Sequence, residues 1–379
     1  MLDVSKMSYW EKSTYFTDID YLIVGSGIVG LSTAIALKEK DPAANVLVID
    51  RGVLPTGAST KNAGFACFGS PTELLSDLTK MDEKTVIQLI QKRWLGLQRL
   101  LSLCGTEEIE HEPIGSYELF TENETPQLEN CSQQLDFLNS LVKEAIGLES
   151  TYSVVENTFG FKTVPQLIKN KYEGQINTGK MMRQLYKVAL NKGVNCLYGV
   201  ALQNWEETGD SVLVNTSIGE ILTKRLLFAT NGFSKQLLPQ LDIQPARAQV
   251  LITKPLKNLP WEGSFHYQEG FYYFRNVGNR VLLGGGRNLH FEQEETTEIT
   301  TTENILSELT HLLKTVILPD IPFEVETSWA GIMGVGKVKS PIVKKISPKI
   351  SVAVRLGGMG VAMGSLIGQE LAEITSDIE

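Results

Sequence analysis

Three glycines and one aspartate near the N-terminus have the types and the spacing that bind a dinucleotide. Gly25, Gly27 and Gly30 form a G-x-G-x-x-G pattern, and Asp50 follows 20 residues after the last glycine (50 − 30 = 20). In such a loop the first glycine permits a tight turn, the second admits a pyrophosphate, and the third lets a helix pack closely on a strand. A carboxylate at the position of Asp50 accepts hydrogen bonds from ribose hydroxyls. The pattern predicts a binding site for NAD or FAD.

The segments around these residues have the periodicity that a dinucleotide fold requires. Residues 20–24 are a short run with strand character, residues 28–40 carry apolar side chains at helical spacing, and residues 45–50 form a second apolar run. Strand, helix and strand in this order predict a βαβ unit with two parallel strands. The glycine loop would then lie between the first strand and the start of the helix.

Two further glycine-containing segments favour the longer of the two cofactors. Residues 57–64 (GASTKNAG) directly follow the second predicted strand. Residues 357–360 (GGMG) follow a predicted strand at 350–354 and open a predicted helix at 361–374. A pyrophosphate needs one such loop, so the additional loops indicate a ligand with a second large part, which favours FAD.

The rest of the chain predicts an α/β fold in which a second domain is inserted into the first. Residues 71–148 have a helical pattern, residues 194–230 alternate in strand fashion, and residues 245–286 suggest antiparallel strands. We therefore predict a Rossmann-like FAD-binding domain with an inserted α+β substrate domain built on a mostly antiparallel sheet. The predicted boundaries are 1–70, 150–235 and 330–379 for the FAD-binding domain, and 71–149 and 236–329 for the substrate or cap domain.

Composition excludes several other classes of protein. The 379 residues carry a net charge of −9, which disfavours a nucleic-acid partner. The four cysteines have no metal-type spacing, so no metal site is predicted. No segment predicts a signal peptide or a transmembrane helix, and the expected location is the cytoplasm.

Six motifs in this order resemble the flavoprotein family of D-amino acid oxidase, glycine oxidase and sarcosine oxidase. They are YLIVGSGIVGLSTAIAL, VLVIDRG, GASTKNAG, ATNGFS, WAGI and GGMGVAMGSLIGQELAE. The resemblance covers nearly the whole chain, and the third motif is most similar to the amine-oxidising branch of γ-glutamylputrescine oxidase type. It implies FAD as the cofactor and a small amine or amino acid as the substrate. The implied cofactor-binding residues are Gly25, Gly27, Ile28, Val29, Gly30, Asp50, Arg51, Ser59, Lys61, Asn62, Ala63, Gly64, Val200, Leu202, Gly331, Gly357, Gly358, Met359 and Gly360.

The resemblance also implies that FAD is bound without a covalent bond. Some members attach the flavin through a cysteine after the tryptophan motif, and residues 329–334 (WAGIMG) contain none. Cys67 is an alternative attachment point near the second loop, although a buried apolar cysteine is the favoured interpretation.

The candidate catalytic residues are Tyr272, Tyr273 and Arg275, on the strand FYYFR that the resemblance places on the floor of the substrate pocket. Alternation puts Tyr272 on one face of the strand and the other two residues on the opposite face. Arg247 and Arg287 are weaker candidates. The four histidines show neither nucleophile nor metal-ligand spacing and are interpreted as structural; they are His111, His266, His290 and His311.

One departure from the family pattern leaves the substrate class open. Glycine-oxidase-like members carry an arginine for the substrate carboxylate just after the tryptophan motif, where this chain has Met333. Arg355 is a possible substitute. An amine, an N-substituted amine and an amino acid are equally compatible, and the electron acceptor is either O2 or another carrier. The alternatives to C–N oxidation are a flavin-dependent 2-hydroxy-acid dehydrogenase and a non-catalytic nucleotide-binding protein.

Overall fold

The strands and helices of the chain are known from a computed structural model that describes residues 4–376. The strands are β1 Ile19–Val24, β2 Val46–Asp50, β3 Phe65–Ala66, β4 Ser116–Leu119, β5 Tyr152–Glu156, β6 Gln166–Asn170, β7 Gly174–Gln175, β8 Asn195–Tyr198, β9 Leu202–Thr208, β10 Ser211–Thr216, β11 Gly219–Phe228, β12 Gln244–Thr253, β13 Ser264–Tyr267, β14 Tyr272–Val277, β15 Arg280–Gly285, β16 Val325–Val335, β17 Ile342–Lys345 and β18 Ile350–Val354. The helices are α1 Tyr9–Tyr15, α2 Ile28–Lys40, α3 Ala58–Lys61, α4 Pro71–Leu78, α5 Glu83–Cys104, α6 Thr125–Gln133, α7 Leu135–Ile146, α8 Thr178–Asn191, α9 Ser234–Leu237, α10 Glu303–Leu312 and α11 Gly360–Ser376.

The first large sheet is the predicted dinucleotide fold. Its main strand order is β17-β18-β11-β1-β2-β8, and β9 and β10 extend from β11. Strands β18, β11, β1, β2 and β8 run parallel, with Leu22 opposite Leu47 across β1 and β2. Helix α2 crosses between these two strands, so the predicted βαβ unit is confirmed. Because apolar cores cover both faces of this sheet, its strands are nearly continuous apolar runs.

The second large sheet has the strand order β16-β12-β15-β14-β13-β4-β6-β5. Every neighbouring pair in it is antiparallel except β13 and β4, which confirms the mostly antiparallel sheet. One face packs on an aromatic core in which the rings of Phe265 and Phe274 stack with centroids 4.8 Å apart. Apolar residues of α10, including Ile305 and Leu309, cover that core. The other face is therefore the one available for a ligand.

In three places the strand pairing and packing group the chain differently from the predicted domain boundaries, which stay a prediction. Strands β5 and β6 lie within the range 150–235 that was assigned to the FAD-binding domain, but they pair in the second sheet. Helix α5 was assigned to the cap, yet Leu97 and Leu100 are buried in the core beside the first sheet. Strand β16 crosses the predicted boundary at residue 330 and pairs with β12 throughout. Periodicity identifies a strand, but the choice of sheet depends on partners that are distant in sequence.

Within residues 4–376, no helix combines the length and the apolar character needed to cross a membrane.

Candidate functional site

A cavity of about 680 Å³ is lined by residues of both large sheets. Its volume is within the range typical of ligand sites, about 300–1,000 Å³. Gly25 and Asp50 line one end, at the carboxyl ends of β1 and β2, while Phe65, His266 and Tyr273 line the other end. The cavity thus connects a nucleotide-type loop to a pocket on the free face of the second sheet.

The first glycine loop is shaped by close backbone contacts. Gly25 has a φ of +106°, and a Cβ built on it would lie 2.7 Å from the carbonyl oxygen of Ala229. A Cβ on Gly30 would overlap the carbonyl oxygen of Gly25, because α2 packs directly against the end of β1. These contacts direct the N-terminus of α2 at the cavity, where unpaired backbone N–H groups attract phosphate. The geometry fits a pyrophosphate at the predicted position.

The carboxylate of Asp50 is held in a fixed orientation at the end of β2. Its Oδ2 accepts hydrogen bonds from the backbone N (2.9 Å) and the Oγ (2.8 Å) of Ser26, and its Oδ1 accepts one from Gly52 N at 2.9 Å. The side chain lines the cavity. Beside it, the guanidinium of Arg51 lies 3.9 Å from the ring centroid of Phe233. Binding of a ribose by Asp50 stays a prediction.

The segment 57–64 lines the cavity and is fixed from two sides. Oδ1 of Asn62 accepts hydrogen bonds from Gly64 N and from Thr178 Oγ1, each at 2.9 Å. The indole Nε1 of Trp329 donates to the carbonyl oxygen of Lys61 at 2.9 Å. The second loop is therefore anchored to α8 and β16, which come from distant parts of the chain.

The third glycine segment places the N-terminus of α11 at the cavity. Gly357, Gly358, Met359 and Gly360 all line it, and α11 begins at Gly360. A helix N-terminus carries a partial positive charge and favours an anion or a developing negative charge. Arg355 also borders the cavity, but its Nη1 donates to Oδ2 of Asp242 at 2.7 Å and to that residue's carbonyl oxygen at 2.9 Å.

All but one of the predicted cofactor-binding residues line this cavity. The exception is Gly30, whose predicted task was close packing of helix on strand rather than contact with the ligand, and the structure places it in that position. The cavity also includes residues 229–231 after β11, which were not among the predicted cofactor-binding residues. The motif ATNGFS was the available signal for this segment, because it follows a strand whose carboxyl end lies beside those of β1 and β2.

Of the three candidate catalytic residues on β14, the structure places one in the cavity wall, and their catalytic roles stay predictions. Tyr273 lines the cavity, with its ring lying across Gly284. Tyr272 points to the opposite face, is 6% exposed, and belongs to the aromatic core under the sheet. Arg275 is 8% exposed and lies behind Gly64 rather than in the cavity wall. Burial lowers the pKa of Arg275 to about 10 against the opposing charge of Glu112.

The two tyrosines offer a direct comparison of the two faces of β14. Tyr273→Phe is expected to weaken binding of a substrate or a competitive inhibitor about fivefold, because one hydrogen bond contributes about 1 kcal/mol. Tyr272→Phe is expected to leave that affinity unchanged, because its side chain does not reach the cavity. Ligand-induced changes in the absorption of the purified holoenzyme measure both affinities. Equal losses in the two variants would contradict this placement of the faces.

Sequence reasoning missed His266, which was interpreted as structural. The imidazole lines the cavity beside Phe65, with ring centroids 5.1 Å apart, and Phe65 in turn lies 5.8 Å from the ring of Tyr273. These three rings form one wall, which we call the aromatic wall. No local signal identified it, because its members lie on β3, β13 and β14.

A buried charged cluster lies behind the aromatic wall. Arg93 is 1% exposed; its Nη2 donates to Glu73 Oε1 at 2.9 Å and its Nη1 to the carbonyl oxygen of Phe68 at 3.0 Å. Lys339 lies 2.6 Å from Asp77 and 3.4 Å from Glu73. Burial raises the pKa of Glu73, but the charges of Arg93 and Lys339 outweigh burial and hold it below its usual range. Glu73 and Lys339 both reach the cavity wall.

The position of Met333 places a thioether, not a cation, beside the cavity. A Cβ built on Gly358 would lie 3.4 Å from the sulfur of Met333.

Two other arginines were weaker candidates for the substrate site. Arg247 is buried and forms an ion pair with Glu294 at 2.8 Å, so it is structural. Arg287 lines the cavity, and its guanidinium lies 4.6 Å from the ring centroid of Phe291. Within residues 4–376 this guanidinium makes no hydrogen bond or ion pair.

Comparisons with known proteins agree with this geometry. Residues 20–374 match the family described as DAO, FAD dependent oxidoreductase. The chain is 24% identical to a probable oxidoreductase, OrdL, of Rhizobium meliloti (strain 1021), over 94% of this chain and 82% of the relative. The fold is similar to that of L-proline dehydrogenase from P. horikoshii, with a TM-score of 0.74, 15% identity, and coverage of 95% of this chain and 93% of that one. It is also similar to glycine oxidase from Geobacillus kaustophilus, with a TM-score of 0.72, 18% identity and 95% coverage of both chains.

Proposed function

The chain belongs to the family of FAD-dependent oxidoreductases, and on that premise we propose that it oxidises a C–N bond of a small amine or amino acid. The observation that supports this proposal is the continuity of the cavity. The dinucleotide loop at Gly25 leads directly to a pocket bounded by the aromatic wall. A substrate in this pocket would lie next to the part of the cofactor that does not bind the first loop.

The residues present fit FAD. The amides after Gly27 would hold the pyrophosphate, Asp50 the ribose, and the N-terminus of α11 the redox-active ring system. Bound there, FAD would supply the acceptor for a hydride from the substrate carbon. Cys67 lines the cavity, but burial raises the pKa of its thiol well above the usual value, with Glu173 and Glu73 adding to the shift. A protonated thiol is a poor nucleophile, which supports noncovalent binding.

The protein's own contribution is to position the substrate and to exclude water. The aromatic wall gives an apolar surface against which the reacting carbon is held. Burial raises the pKa of Tyr273 to about 12, so its hydroxyl stays neutral and acts as a hydrogen-bond donor at neutral pH. A fixed donor and a rigid wall restrict the orientations in which the C–H bond faces the cofactor.

A second candidate function is oxidation of a 2-hydroxy acid, which is favoured by one specific observation. That chemistry needs a basic side chain to take the hydroxyl proton. His266 lines the cavity and is such a group. We place C–N oxidation first because the similar structures include an L-proline dehydrogenase and a glycine oxidase.

One experiment separates these functions. The absorption spectrum of the purified protein is recorded, and amines, D- and L-amino acids and 2-hydroxy acids are then added without oxygen. Bleaching of the flavin bands by an amine or amino acid supports C–N oxidation, and bleaching by hydroxy acids alone supports the second candidate. A protein that binds FAD but is bleached by none of them contradicts both. Reoxidation of bleached protein by O2 or by an artificial carrier then identifies the acceptor.

The class of C–N substrate depends on Arg287. Glu294 and Glu295 act on this guanidinium only through their charge, and it makes no hydrogen bond or ion pair within residues 4–376. A substrate carboxylate could therefore pair with it in place of the missing arginine at position 333. Arg287→Ala is expected to raise the Kd of carboxylate-containing ligands about tenfold, equivalent to about 1.4 kcal/mol, and to leave plain amines unaffected. Arg280→Ala is the control, since Arg280 pairs with Glu326 and does not line the cavity. Loss of affinity for both ligand classes in Arg287→Ala would argue against a carboxylate contact.

A further inference from the structure

The aromatic wall contains a basic group that can accept a proton, the imidazole of His266. Its side chain is 12% exposed, and its Nε2 is fully buried and lies 3.7 Å from Oε2 of Glu173. Its Nδ1 has no hydrogen-bond partner among the described residues and is not fully enclosed. Nδ1 is therefore the ring nitrogen left to meet a molecule in the cavity.

Glu173 is built into the fold as a fixed acceptor. Its side chain is completely buried, and Oε1 accepts hydrogen bonds from the backbone N of Phe68 (2.7 Å) and of Gly69 (3.0 Å). Oε2 accepts a hydrogen bond from Ser116 Oγ and faces the imidazole. Three donors from two segments hold the carboxylate in one position. A negative charge at this distance favours an imidazolium at His266 over the neutral ring.

The titratable groups that face His266 come from four elements or loops. They are Glu173 before β7, Glu118 directly opposite on β4, Glu73 on α4 and Tyr273 opposite on β14. Burial lowers the pKa of His266, but the contact with Glu173 and the charges of Glu173, Glu118 and Glu73 outweigh it, and the pKa is raised. Burial raises the pKa of Glu118 and outweighs its hydrogen bonds from Thr72 and Ser70. Arg93 and Lys339 neutralise Glu73, which leaves Glu173 as the counter-charge for His266.

Oxidation of a C–N bond needs the nitrogen lone pair, and an alkyl ammonium with a pKa near about 10.4 has none at neutral pH. We infer that His266, with Glu173 as its counter-charge, accepts the proton that the substrate ammonium must lose before the C–N bond is oxidised; this inference rests on the proposed function. The N–H bond breaks, and the proton passes to Nδ1 of His266. The lone pair then forms the C=N bond as the C–H bond breaks, and the hydrogen leaves with two electrons to FAD, the oxidant that the family supplies. The products are an iminium, reduced cofactor and a protonated His266.

The test compares pH profiles of flavin reduction in anaerobic stopped-flow experiments on three holoenzymes: wild type, His266→Gln and His311→Gln. His311 lies on the exposed face of α10 and is the matched control. At pH 7, His266→Gln is expected to reduce its flavin about 10²- to 10³-fold more slowly than wild type. Towards pH 10 the difference should shrink, because solution then supplies the neutral amine. His311→Gln should follow wild type throughout.

A variant and a second measurement separate proton transfer from a structural role. Glu173→Gln keeps the shape but removes the charge, so the rising limb of the pH profile should move to lower pH. A second measurement needs no turnover. The NMR signal of the His266 imidazole is identified by its absence from the spectrum of His266→Gln, and its pKa is then determined by titration. This pKa should lie above about 6.5 in wild type and should be lower in Glu173→Gln. Flavin content and melting temperature verify that each variant is folded.

The outcomes distinguish the two proposals. If no amine bleaches the flavin of wild type at any pH, both the proposed function and this inference are wrong. If amines bleach wild type and His266→Gln at equal rates at pH 7, only the role of His266 is wrong. A uniform slowing of His266→Gln at all pH values would also overturn it, because a purely structural defect is not rescued by neutral substrate.

Discussion

Replacing Gly30 by alanine is expected to raise the Kd for FAD by about 10- to 100-fold. The new methyl group would overlap the carbonyl oxygen of Gly25, which is backbone and cannot rotate away. This overlap is removed only if α2 moves away from the end of β1. Such a movement displaces the N–H groups that would hold the pyrophosphate. Overpacking of this kind typically costs about 1–3 kcal/mol, and 1.4 kcal/mol corresponds to tenfold in affinity. Titration of apoprotein with FAD, followed by quenching of flavin fluorescence, measures the effect.

Gly57→Ala is the matched control for this substitution. Gly57 also lines the cavity, but a Cβ built on it meets no atom within 4 Å, and its φ of −76° suits alanine. The Kd of the Gly57→Ala variant for FAD should stay within about twofold of wild type, since this substitution is expected to change the binding free energy by less than about 0.5 kcal/mol. Far-UV circular dichroism of both apoproteins tests whether they fold. Equal affinity of the Gly30 and Gly57 variants for FAD would show that helix–strand contact does not control the loop.

Replacing Arg93 by alanine is expected to destabilise the protein by about 3–5 kcal/mol. Removing one partner of a buried ion pair leaves the other charge poorly compensated. Arg93 is 1% exposed and bridges Glu73 and the carbonyl oxygen of Phe68, so its loss also removes a support of the segment that borders the cavity. Equilibrium unfolding in urea, with and without saturating FAD, measures the free energy of unfolding.

The same helix supplies the control for Arg93. Arg99 also lies on α5 and pairs with Glu39 at 3.0 Å, but both side chains are partly exposed. Arg99→Ala should cost no more than about 1 kcal/mol, because solvent-exposed ion pairs contribute little. Adding Glu73→Gln to Arg93→Ala should recover part of the lost stability, since it removes a buried carboxylate that only Lys339 still neutralises. Equal losses for Arg93→Ala and Arg99→Ala would contradict the argument from burial.

Only part of the substrate end of the cavity could be predicted from the sequence. Alternation along FYYFR correctly separated Tyr272 from Tyr273, but it could not tell which face meets the ligand. That choice depends on the core under α10, which buries the side chain of Tyr272. His266 carried no local signal at all. It became a candidate only because β13 pairs with β14 and β4, which brings Tyr273 and Glu118 opposite it.

The sequence by itself determined the cofactor half of this protein, because the G-x-G-x-x-G loop, its strand, its helix and Asp50 are neighbours in the chain. Their periodicity and glycine positions specify local backbone geometry, and the family motifs occur in a fixed order. The tertiary structure alone decided the substrate half. Glu73, Glu173, His266 and Lys339 come from parts of the chain up to 266 residues apart (339 − 73 = 266). They come close together because of strand pairing and the burial of apolar faces, and neither can be predicted from the spacing of residues that are neighbours in the chain.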